Sequence, residues 1–160
     1  MSKKLKLLLA ALAISTLSPG ALAQTGNPFI GTWDLDFVQS DFGSATAPKN
    51  MSRTYADLGD GSYMYLVASI NGDGSLGGTS ASYTYSGERY PIASLDELPA
   101  AYISYRKIND QTVEYIVRLD GEVNQIGAKF ISPSYQQLTI GIQFPNSDLK
   151  DQVLVFNRRR

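Results

Sequence analysis

Tyrosine dominates the side chains of this 160-residue chain that could do chemistry, with ten copies against a single tryptophan. Tyr63 and Tyr65 share one face of a β-type run, and Tyr83 and Tyr85 share one face of the next. The two pairs are therefore expected to meet across a ladder. Together with Tyr55, Tyr105 and Tyr115 they allow two readings. One is an amphipathic pocket, with rings against a lipophilic or aromatic ligand and hydroxyls on its polar end. The other is ordinary cross-strand aromatic packing. Arg53 lies on the same face as Tyr55 and would form an anion-holding pair with it inside a barrel, although an arginine on a strand more often points outward. Asp34 and Asp36 also share a face and are expected to be solvated, so they carry no acid–base role. Asn71-Gly72-Asp73-Gly74-Ser75 has oxygen-bearing side chains like the start of a calcium loop. It lacks the distal bidentate glutamate and reads as a hairpin turn. The chain has no cysteine and no histidine. That removes thiol and Ser–His nucleophiles, the usual soft metal sites and histidine-held haem. No catalytic residue, metal or cofactor is assigned.

These groups must be positioned by strands. From Phe29 onward, runs rich in Tyr, Val, Ile, Thr and Phe alternate with turn residues, and no helix-period stretch of ten residues occurs. The predicted strands are Phe29 to Val38, Met51 to Leu58, Ser62 to Ile70 and Thr79 to Tyr85. A short one covers Arg89 to Ile92, followed by Ala101 to Ile108, Thr112 to Leu119 and Glu122 to Ser132. The last two are Gln136 to Phe144 and Gln152 to Asn157. Asp60-Gly61, Asp73-Gly74 and Asp120-Gly121 suit tight hairpin turns, because these residues tolerate positive φ. Gln39 to Asn50 reads as a connecting loop, and Ser94 to Pro99 as one helical turn capped by Ser94. A meander of about ten strands, each with one wet face, avoids exposed edges by closing into a barrel or by folding into two packed sheets. The simpler closure, an up-and-down barrel, is favoured, and it can hold one small ligand.

The N-terminus is expected to be a signal peptide over residues 1 to 23. Lys3, Lys4 and Lys6 form its basic region, Leu7 to Ile14 its apolar core and Ala21-Leu22-Ala23 its cleavage site. The apolar run is about half the roughly 18 residues that a membrane span needs, so no stable anchor is expected after cleavage. The remainder, 24 to 160, is a single domain. Cleavage removes three of the 14 basic residues and none of the 15 acidic ones, leaving a net charge of −4. An acidic surface disfavours nucleic acid. Export without disulfides fits a bacterial periplasm or culture medium.

Asn27-Pro28-Phe29-Ile30-Gly31-Thr32-Trp33 places a Gly-x-Trp motif at the head of the first strand. In that position it resembles the opening motif of the lipocalins and the wider calycin superfamily. Strings such as Ile103-Ser104-Tyr105-Arg106 and Thr112-Val113-Glu114-Tyr115 are similar to those of small exported bacterial proteins with lipocalin-like barrels. The resemblance implies an all-β antiparallel barrel of about 8 to 10 strands. It also implies that Gly31 and Trp33 close one end, with Arg158 (or Arg159) lying over the indole. It does not extend to the second lipocalin motif or to disulfides. Three functions follow as expectations: a carrier of a small hydrophobic ligand in the barrel, a non-catalytic interaction protein with a packed barrel and an unknown protein partner, or an isomerase-type enzyme using Tyr, Arg and carboxylates.

Overall fold

The computed structural model describes residues 26 to 160, and the predicted signal peptide lies outside them. Eleven strands follow in order: β1 (Gly31–Leu35), β2 (Asn50–Asp57), β3 (Tyr63–Ile70), β4 (Leu76–Tyr83), β5 (Tyr90–Pro91) and β6 (Ala93–Ser94). They continue with β7 (Ala101–Asn109), β8 (Thr112–Leu119), β9 (Glu122–Ile131), β10 (Gln137–Gln143) and β11 (Gln152–Arg158). They form one antiparallel sheet in the order β5-β7-β8-β9-β10-β11-β1-β2-β3-β4-β6. The last strand returns to the first, with Trp33 opposite Arg158 and Leu35 opposite Phe156.

The two ends of the sheet are successive in sequence. Tyr90 and Pro91 pair with β7, and two residues later Ala93 and Ser94 pair with β4. A single segment thus bridges both edges and nearly closes the barrel, which leaves little open ladder for another chain to add to. Splitting this segment around Ile92 makes eleven strands rather than the expected 8 to 10. It also displaces the predicted helical turn: Ser94 is a strand residue opposite Thr79, and its Oγ accepts from the Asp96 N–H in a bend (3.2 Å). β4 starts earlier than expected, because Leu76 and Gly77 find partners in Ile70 and Ser69. β1 ends at Leu35 instead of Val38, since Asp36 turns the chain by accepting from the Val38 and Gln39 N–H groups. The β8–β9 hairpin is a two-residue turn with both Asp120 and Gly121 at positive φ (47° and 88°), the geometry of a type I′ turn.

Alternation sends Trp33, Leu35, Tyr55, Tyr65, Val67, Ile103, Tyr105, Val113, Tyr115, Ile131, Leu138, Ile140, Leu154 and Phe156 into one core. At the end where the described chain begins, Phe29 and Trp33 plug the barrel. The indole N–H donates to the Phe29 carbonyl (2.9 Å), and the Arg158 guanidinium lies 4.0 Å from the centre of the Trp33 ring. Arg158 also donates to the carbonyls of Pro28, Ile30 and Tyr135 at 2.7 to 2.8 Å, so one cation satisfies three backbone carbonyls. Gly31 has φ +128°, and a Cβ there would stand 2.8 Å from the Arg158 guanidinium. Gly31→Ala should therefore cost about 1–3 kcal/mol in urea unfolding. Gly59, with φ +85° but open space around it, is the control; Gly59→Ala should cost less. Equal losses would mean that Arg158 does not constrain Gly31.

Candidate functional site

The barrel is filled at the Trp33 end and encloses a cavity beyond it. A cavity of about 320 Å³ has walls that include Met51, Val67, Ile92, Leu98, Ile103, Val117, Ile142 and Leu154. Its floor is Arg53, Lys129, Tyr65, Tyr105 and Tyr115. No aspartate or glutamate lines it. A larger concavity, about 650 Å³, lies against Ile116, Ile126, Gly141 and Val153, with Arg106 and Glu114 at its side. Those two charges already pair with each other at 2.6 Å, so its cation is not free to fix an anionic ligand. The interior cavity is the better site.

Register explains why two basic side chains face inward. Arg53 stands opposite Trp33 on β1 and Val67 on β3, both of which are buried. Directly opposed residues share a face, so Arg53 points into the barrel with them rather than outward. Lys129 stands opposite Val113 on β8 and Ile140 on β10, again both buried, and is only 2 % exposed. Its Nζ donates to the Tyr105 hydroxyl at 2.8 Å. The same nitrogen lies 4.4 Å from the Tyr105 ring centre, 4.6 Å from Tyr55, 5.3 Å from Tyr115 and 5.6 Å from Tyr65. The ring faces supply part of the stabilisation that water would otherwise give a cation. The Arg53 guanidinium lies 5.4 Å from the Phe156 ring centre. Arg53 Nε and the Tyr55 hydroxyl are both enclosed without a hydrogen-bond partner among the described residues. Gly127 makes room for this arrangement: the Tyr115 ring crosses directly over it, where a Cβ would stand 2.2 Å from the ring.

The remaining tyrosines support the floor from the side. Tyr83 packs on Tyr105 with ring centres 4.1 Å apart, and Tyr63 stands against both Tyr83 and Tyr85. Tyr85 accepts a hydrogen bond from the Asn27 side chain. So Arg53, Tyr65, Tyr105 and Tyr115 reach the cavity, while Tyr55, Tyr63, Tyr83 and Tyr85 form the aromatic bed beneath and beside it. Asp34 lies outside and pairs with Arg159, which holds its carboxyl below the usual range. Asn71 to Ser75 is a hairpin loop, closed by the Asn71 N–H to the Ser75 carbonyl (2.8 Å). Among the described residues no cluster of three metal-ligating side chains occurs. Lys129 escaped the sequence reading. The signal that reveals it is its parity with Ile131 on β9, which puts it in the inward column and leaves Phe130, 45 % exposed, outside.

Desolvation governs the ionisation of this floor. Burial first, and the nearby Arg53 charge second, push the Lys129 amine well below its ordinary value. Burial is also the main cause that raises Tyr65 to about 12. It raises Tyr55, Tyr83, Tyr85, Tyr105 and Tyr115 in the same direction. These phenols stay protonated in the folded barrel after unfolded tyrosines, near 10, have ionised. Below pH 10 they contribute nothing to the pH dependence. Above it the unfolded state binds fewer protons, so stability falls as pH rises. Urea midpoints should drop steeply between pH 10 and 12, and a flat profile there would count against six enclosed phenols.

Sequence comparison is silent: no protein-family model matches the chain, and no curated protein is similar to it by sequence. Comparison of structures is informative. A fatty acid binding protein of Schistosoma mansoni, in complex with arachidonic acid, aligns with TM-score 0.57 over 84 % of this chain and all of that one, at 11 % identity. The wild-type fluorescent protein UnaG aligns with TM-score 0.54 over 82 % of this chain and 97 % of its own, at 16 % identity. Rv2717c of M. tuberculosis aligns with TM-score 0.51 over 83 % and 94 %, at 13 % identity. The fold is the antiparallel β-barrel that these structures share. Identities this low carry the fold and leave the residues of the site to this chain alone. Within this barrel, the plug of Trp33 under Arg158 closes one end, and the interior above it holds Arg53 and Lys129 without a carboxylate.

Proposed function

We propose that this barrel is an exported carrier of a small amphipathic anion. The anionic end sits on Arg53 and Lys129, and the apolar body lies along Val67, Ile103, Val117, Ile142 and Leu154. One observation carries the reading: the cavity floor holds the Arg53 cation and the Lys129 amine as hydrogen-bond donors, and no carboxylate. An arginine keeps its charge at any ordinary pH, and an enclosed charge without a partner is expensive. An arriving carboxylate, sulfate or phosphate would supply that partner and fill the vacant bonding position at Arg53 Nε. The volume, about 320 Å³, sits at the lower end of the usual range for ligand pockets, roughly 300–1,000 Å³, so the ligand is small. Shared architecture with a fatty acid binding protein supports the reading as analogy, since folds host many functions. Export is supported by the basic, apolar and small-residue segments of residues 1 to 23, and a bacterial periplasm or medium by the lack of cysteine.

The test is displacement of a fluorescent amphipathic anion, anilinonaphthalene sulfonate, by decanoate. Decanoate should displace the probe from the wild-type protein. Arg53→Met should weaken decanoate about ten- to a hundredfold, the worth of a hydrogen bond to a charged group. Failure of decanoate to displace the probe, or an unchanged affinity in Arg53→Met, would refute the assignment.

A further inference from the structure

Lys129 differs from the other lysines of the barrel. Lys107 is held in an ion pair with Asp110 at 2.6 Å, and Lys49 and Lys150 stand in water. Lys129 meets no carboxylate. Its amine is enclosed by phenol rings, opens on the apolar cavity, and has one hydrogen-bond partner among the described residues, the Tyr105 hydroxyl. An amine so placed is short of solvation as a cation and is favoured as the free base, which is the nucleophilic form. The downward push on its ionisation by burial agrees with that geometry.

We propose that Lys129 captures small apolar aldehydes as a Schiff base, with Tyr105 as the proton relay. This rests on the reading that the cavity takes a small amphipathic ligand and names a second chemical class for the same floor. The Lys129 Nζ lone pair forms a C–N bond to the carbonyl carbon, and the carbonyl π electrons move to oxygen. Tyr105, whose hydroxyl is 2.8 Å from Nζ, delivers protons to that oxygen and recovers them from nitrogen. The C–O bond then breaks, and water leaves with the carbonyl oxygen and the two amine protons. The product is a neutral imine, Tyr105 ends protonated as it began, and no oxidant or reductant is consumed.

Three features of the floor suit this step. The Tyr105 hydroxyl stands 2.8 Å from Nζ, within reach to pass one proton on as it takes another up. Walls that include Ile103, Val117, Ile142 and Leu154 receive the alkyl chain and shed water, which disfavours hydrolysis of the imine. Arg53, fixed as a cation on the same floor, opposes protonation of the amine before attack.

The experiment incubates the full protein with decanal at neutral pH and reduces the product with sodium cyanoborohydride. Intact mass is then followed by peptide mapping. One decyl group should be gained, at Lys129, at least about tenfold in excess over Lys49, Lys107 and Lys150. Lys129→Met should abolish that adduct, and Tyr105→Phe should slow its formation about a hundredfold, the low end of general acid–base catalysis. Decanoate should protect Lys129 by occupying the same floor. If decanoate binds but no adduct forms at Lys129, or adducts spread evenly over the exposed lysines, the capture proposal is overturned and the carrier reading stands. If decanoate does not bind and no adduct forms, both are overturned.

Discussion

Trp33→Ala should destabilise the barrel by about 3–5 kcal/mol, the range for deleting a large buried aromatic side chain. Whole domains are held by only about 5–15 kcal/mol, so this single change takes a large share. The reason is position as well as size. Trp33 is fully buried on the short first strand, paired on one side to β2 and on the other to β11. Removing it empties the plug, strands the Phe29 carbonyl that its N–H satisfies, and takes the ring from beneath Arg158. Arg158→Met should cost less, because Arg158 is only partly buried and its methylene packing is retained. The two changes should be non-additive by about 1 kcal/mol, the worth of a cation–π contact beyond simple burial. Urea unfolding of the two single variants and the double variant measures this, and strict additivity would mean that the stacked pair is only geometric.

The second large effect has the opposite sign. Lys129→Met should stabilise the empty barrel by about 1–4 kcal/mol at neutral pH, since an apolar chain of similar volume need neither give up a proton nor bury a polar amine on folding. The pH dependence identifies the cause. With the folded Lys129 amine below its ordinary value, the unfolded chain binds a proton that the folded chain does not. The wild-type barrel therefore gains stability as pH rises toward about 10.4, the ordinary lysine value. The variant lacks this gain, so its advantage should shrink as pH climbs toward that value. Tyrosine ionisation affects both proteins alike and cancels in the difference. Thermal unfolding of the pair across this range reads it directly, and a constant difference would show that Lys129 is not desolvated. The same substitution should weaken decanoate, so that stability and binding move in opposite directions.

The strands were legible in the sequence because each carries its own alternation and ends on turn residues. Thr112–Leu119 is an example: Val113 and Tyr115 face in while Glu114 faces out. What escaped was set by pairing between distant segments. Ser94 carries a helix-cap signature, yet Thr79 claims it for the sheet. Gly77 and Gly78 fall before the strand expected from Thr79, but Ser69 and Ala68 hold them in β4. The candidate site followed the same division. The tyrosine columns could be grouped by parity along single runs, whereas the inward direction of Arg53 depends on its register with Trp33 and Val67. Lys129 lies beside Phe130 on a strand whose larger apolar residue faces solvent, so local hydrophobicity points the wrong way. Only the register with Val113 and Ile140 shows that the lysine is inside.

The claim at the centre of this account is that the barrel floor selects negative charge. Calorimetric titration of the protein with decanoate and with decanol, which share chain length and differ at the polar end, tests it most directly. Decanoate should bind at least about tenfold more tightly, reflecting one charge-assisted hydrogen bond or more to Arg53 and Lys129. Equal affinities, or a preference for the alcohol, would contradict the account.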